Sequence, residues 1–64
     1  MTYFTTTDLD KALQFEDRAH AHEIADGYAA HAGWTATVCH APGGFVVRCF
    51  KKRGHKAVFE GWIK

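Results

Sequence analysis

Trp34-Thr-Ala-Thr-Val-Cys-His40, Phe45-Val-Val-Arg-Cys-Phe-Lys-Lys52 and Lys56-Ala-Val-Phe-Glu-Gly-Trp-Ile63 decide the fold. These runs of β-branched and aromatic residues are separated by Ala41-Pro-Gly-Gly44 and by Arg53-Gly-His55. Such punctuation is the signature of an antiparallel meander. With residues 41–44 as a four-residue loop, His40 falls opposite Phe45, Val38 opposite Val47 and Ala36 opposite Cys49. One face, the expected core, carries Trp34, Ala36, Val38, Phe45, Val47 and Cys49. The other carries Thr35, Thr37, Cys39, Val46, Arg48, Phe50 and Lys52.

In the last run, Ala57, Phe59, Gly61 and Ile63 are apolar and alternate with Lys56 and Glu60. A three-residue loop, Arg53-Gly54-His55, with a left-handed glycine or neighbour, makes the registers agree. Arg48 then faces Glu60, Phe50 faces Val58, and Val46 faces Trp62. One opposite-charge pair and two apolar pairs support that register.

Upstream, Thr2-Tyr3-Phe4-Thr5-Thr6-Thr7 has strand propensity, and Asp8-Leu9-Asp10-Lys11 reads as a turn. Residues 9–15 fit a helical stripe or an alternating strand, and a short second strand is the preferred reading because the helical stripe runs into polar Asp17 and His20. The main helix opens on Asp17 as N-cap. Ala21, Ile24, Ala25, Tyr28, Ala29 and Ala32 then recur at three- and four-residue steps, and Gly33 is the expected C′ residue. Gly27 inside that helix costs about 1 kcal/mol relative to alanine, which suggests close packing on the sheet. The expected architecture is α+β, one helix on a small antiparallel sheet, in the order β-(β)-α-β-β-β.

The 64 residues predict a single domain over 1–64, small enough to gain from dimerisation, so both monomer and homodimer are open. The sequence shows neither a run of about 18 apolar residues nor a basic-then-apolar leader, so no membrane association is expected. Cys39 and Cys49 fall on opposite faces of the derived sheet, where a bridge is disfavoured. Free thiols point to a reducing, cytoplasmic compartment.

Net charge is +1, yet it is unevenly placed. Residues 1–32 set Asp8, Asp10, Glu16, Asp17, Glu23 and Asp26 against Lys11 and Arg18, for −4. Residues 33–64 set Arg48, Lys51, Lys52, Arg53, Lys56 and Lys64 against Glu60, for +5. Such asymmetry speaks of partners rather than of fold.

Five histidines and two cysteines raise the question of a metal. His20 and His22 lie about 200° apart around a helix, and His22-Glu-Ile-Ala-Asp26 lacks the second histidine of a zincin helix. Cys39, His40 and Cys49 lack the paired spacing of a zinc site. No metal and no cofactor is expected. The chain contains no serine, Cys49 is a core thiol in the derived register, and no motif pairs a nucleophile with a base. The expectation is a protein that is not an enzyme.

What remains is the outer sheet face. Val46, Phe50, Val58 and Trp62 would be contiguous there, beside Arg48 and edged by Lys52, Arg53, His55 and Lys56. Contiguous apolar surface with a basic rim marks an interaction site. A stacking platform for single-stranded nucleic acid, a protein-binding or homodimer face, and burial under the amino-terminal segment are all compatible with it. The candidate partner-binding residues are Arg48, Phe50, Lys52, Arg53, Lys56 and Trp62.

The layout, carried by Glu16-Asp-Arg-Ala-His-Ala-His-Glu-Ile-Ala25, Gly33-Trp-Thr-Ala-Thr-Val38 and Gly44-Phe-Val-Val47, resembles small phage- and prophage-encoded accessory proteins, some anti-CRISPR proteins among them. The resemblance implies a non-catalytic inhibitor that occupies a nucleic-acid-handling surface of a host protein or ribonucleoprotein complex. Many such inhibitors are acidic DNA mimics, and the basic sheet here departs from that pattern. Direct nucleic-acid binding by the same sheet is the alternative.

Overall fold

The computed structural model describes residues 3–64. Strands β1 (Thr5–Thr6), β2 (Trp34–Ala41), β3 (Gly44–Arg53) and β4 (Lys56–Ile63) form one antiparallel sheet in the order β1-β4-β3-β2. Among the described residues a single α-helix, α1 (Arg18–Ala29), packs on β2 and β3 and defines the inner face. The α+β class and the one-helix layout are as expected. The first strand is shorter than residues 2–7, and Thr2 lies outside the described residues.

Helix α1 starts where the Asp17 carboxylate accepts the Ala19 N–H at 2.9 Å, capping an otherwise free amide. Ala21, Ala25 and Tyr28 are buried against Phe15, Val47, Cys49 and Ile63. Small alanines bring the helix axis close to the sheet, and full burial of Val47 stabilises the fold by about 1.5–3 kcal/mol. The helix ends at Ala29 with Ala30 as C-cap, so Gly33 is not its C′ residue. Gly33 instead turns the chain at φ 80°, and its carbonyl accepts the Lys52 N–H at 2.7 Å. Gly27 makes room for the Tyr3 hydroxyl rather than for the sheet.

The preferred second strand does not form. Leu9–Lys11 is a 3₁₀ turn capped by Asp8, and only Phe15 makes a ladder contact, with Phe45. The crossing is nevertheless well anchored. The Leu13 N–H donates to the Ile63 carbonyl at 2.8 Å, and Phe15 and Phe45 exchange N–H···O bonds of 2.7 and 2.8 Å. Beside this crossing Val46, expected on the open face, is 1 % exposed.

Candidate functional site: the outer sheet face

Two hairpins build this face, and they differ in regularity. The β2–β3 ladder holds one register from Trp34↔Lys51 to Ala41↔Gly44, with every expected pair in place. The β3–β4 ladder does not. Its turn has two residues, Gly54 and His55, with Arg53 opposite Lys56 and Gly54 at φ 64°. Phe50 pairs with Phe59, whereas Cys49 pairs with Gly61. Glu60 is therefore an extra residue on β4, a β-bulge.

The bulge inverts the alternation halfway along β4. Phe59 and Trp62 are three residues apart and would face opposite sides of a regular strand. Here both lie on the outer face, opposite Phe50 and Arg48 respectively. Gly61 permits this at φ 141°, because a Cβ there would stand 2.7 Å from the Thr6 carbonyl oxygen of β1. No side chain fits that approach.

Arg48 gathers the cluster. Its guanidinium carbon lies 5.7 Å from the Phe50 ring centroid, 5.4 Å from Phe59 and 5.4 Å from Trp62. The rings meet edge to face, Phe50–Phe59 at 5.9 Å and Phe59–Trp62 at 5.4 Å. Each exposed cation–π contact is worth about 0.5–1 kcal/mol, and together they hold a flexible side chain in place. Arg48 and Phe59 are exposed, and Phe50 and Trp62 are half-buried.

Several expected placements change. Glu60 does not face Arg48, since its Oε1 accepts from Arg53 Nη2 at 3.0 Å. Among the described residues that is the one ion pair, which leaves the Arg48 guanidinium without a carboxylate. Lys52 shares the outer face, opposite Ala57. By alternation Arg53 and Lys56 belong to the helix side, so the basic rim is divided between the two faces. Val58, expected beside Phe50, pairs instead with Lys51 on the helix side. Phe59, expected in the core, is the residue missed here, at 39 % exposure. An isolated glycine inside a strand pattern was the available signal for a bulge.

On the inner face Trp34 is stacked by Tyr28 and His31 at 4.8 and 4.4 Å, and the Lys51 ammonium lies 4.6 Å from its centroid. The two thiols are separate and free, Cys49 buried and Cys39 half-buried. Desolvation pushes the Cys49 thiol up to about 11, with Lys51 pulling weakly the other way. Burial also raises Tyr28, whose hydroxyl finds no partner among the described residues. Among the described residues no helix is long and apolar enough to cross a membrane.

No protein-family model, no curated protein and no solved structure matches this chain.

Proposed function

We propose that this chain is a non-catalytic binding protein that docks an acidic protein surface on its outer sheet face. Its role would be that of a phage-type inhibitor of a host nucleic-acid-handling complex, in keeping with the resemblance to small anti-CRISPR proteins. The observation that carries this reading is Arg48, which is fixed over three aromatic rings and lacks an acid of its own. An arginine fork bedded on aromatic side chains has the composition of an interface hot spot. It can meet a carboxylate with two parallel N–H···O bonds. Trp62, Phe59 and Phe50 are the apolar anchors, and Lys52 adds charge beside them.

Protein binding is favoured over base stacking for a geometric reason. Arg48 lies against all three rings, which meet edge to face and offer no flat platform for a stacked base, and the remaining cations are divided between the two sheet faces. The test is capture from host lysate, with and without nuclease treatment, by wild type, Arg48→Glu and Lys56→Glu. The reading expects a defined protein partner with wild type and Lys56→Glu, and its loss with Arg48→Glu. Capture that vanishes on nuclease treatment, or a log-affinity that falls steeply and linearly with log salt, would instead establish nucleic-acid binding.

A further inference from the structure

Strand β2 is an open sheet edge. By the alternation of an antiparallel ladder, Gly33, whose carbonyl bonds Lys52, and residues 35, 37, 39 and 41 turn their backbone groups toward β3. Residues 34, 36, 38 and 40 turn theirs outward. Among the described residues one backbone bond uses that side, from the Trp34 N–H to the His31 carbonyl at 3.1 Å. Natural edges are blunted by proline, charge, bulges or brevity. Over its eight residues, Trp34–Ala41, β2 has none of these: no Asp, Glu, Lys, Arg or Pro, and an unshifted register. The opposite edge, β1, is two residues long.

We infer that the edge of β2 pairs with β2 of a second copy of this chain, antiparallel about a two-fold axis at Thr37, giving one continuous eight-stranded sheet. That register sets Ala36 against Val38 and Trp34 against His40 of the other copy in hydrogen-bonded pairs. It therefore uses the outward amides of Ala36, Val38 and His40 and the outward carbonyls of Trp34, Ala36 and Val38, the Trp34 amide being already bonded to His31. Thr37 meets its own counterpart and Thr35 meets Cys39 on the outer face, so no like charges oppose each other. Helices over the β2–β3 gap would come two strand spacings apart, about 10 Å, which is a normal interhelical distance. Because the contact is isologous it closes at two copies. Arg48 stands directly beside Thr37, so the two Arg48 clusters would lie three strand spacings apart, about 14 Å, on one surface.

The experiment is sedimentation equilibrium together with amide hydrogen exchange at NMR concentration, on wild type and Thr37→Glu. In the variant the introduced carboxylate sits beside Arg48 within its own chain but faces an identical carboxylate across the axis. Expected is twice the chain mass for wild type, with slow exchange at Ala36, Val38 and His40, and a folded monomer with fast exchange there for the variant. A monomeric wild type, a polydisperse series of larger species, a dimer whose three amides exchange fast, or an undiminished dimer of folded Thr37→Glu overturns the inference. Should Thr37→Glu fail to fold, Thr37→Ala as the folded control and the wild-type exchange pattern decide the matter alone.

Discussion

The two hairpins share β3 yet treat alternation differently. Along β2–β3 each residue keeps the face that counting assigns it, and Trp34, Ala36, Val38, Phe45 and Val47 all join the core. Along β3–β4 one extra residue, Glu60, reverses the count. The regular hairpin supplies the surface on which α1 packs. The bulged one turns two large aromatics outward and arranges Arg48 over them. A single inserted residue thus separates a core-forming ladder from one that builds a surface site, which is how bulges re-aim side chains.

The largest expected effect falls on the bulge itself. Gly61→Val should cost about 4 kcal/mol or abolish cooperative folding, since any Cβ meets the Thr6 carbonyl in a left-handed backbone. Gly54→Ala in the open turn should cost only about 1–2 kcal/mol, because its Cβ meets nothing within 4 Å among the described residues. Equal losses in urea unfolding would show that the close approach of β1 is immaterial.

Next in size is a contrast between the faces. Val47→Ala, at a fully buried position of the regular ladder, should cost roughly 2–3 kcal/mol. Phe59→Ala should cost only about 1 kcal/mol although it removes more atoms, because its ring packs on an exposed face. If Phe59→Ala were the more damaging of the two, Phe59 would belong to the core.

A smaller effect is set by pH. Cys49 has its folded value raised from 9.0 to about 11, so its contribution is fully present below pH 9 and is lost as pH rises toward 11. Stability measured by denaturant melts should therefore decline through that window. Cys49→Ala should remove the decline between pH 9 and 10, leaving a slope above pH 10 that belongs to Tyr28. Half-buried Cys39 should also be alkylated well before Cys49 in the native protein. The smallest effect is expected at the ion pair: Arg53→Ala should shift stability by no more than about 0.5 kcal/mol, since the pair is exposed to solvent.

Much of this was legible in the residues. The Asp17 cap, the Ala21, Ala25 and Tyr28 part of the α1 stripe and the whole β2–β3 register follow from spacing, because local chemistry and burial agree there. Ala29 and Ala32, expected on the same stripe, are exposed. The β3–β4 register resists counting because Phe59, Gly61 and Ile63 satisfy strict alternation, and Arg48 opposite Glu60 makes a plausible ion pair. Phe59 is the false core position, whereas Gly61, buried opposite Cys49, signals the bulge by lacking a side chain where β1 approaches. Residues 9–15 were illegible for a different reason. Their conformation is fixed by long-range bonds from Leu13 to Ile63 and from Phe15 to Phe45, which no local pattern encodes. Of the six candidate binding residues, Arg48, Phe50, Lys52 and Trp62 share the outer face, and Arg53 and Lys56 leave it.

The most direct test of the bulge and the face it builds is a proton NOE map of the aromatic side chains. The account predicts cross-peaks from the Phe59 ring to both Trp62 and Phe50, with Arg48 side-chain protons shifted upfield by the three rings. Phe59 cross-peaks to Tyr28 and Ile24 of the helix, with none to Trp62, would contradict it and restore a regular β4.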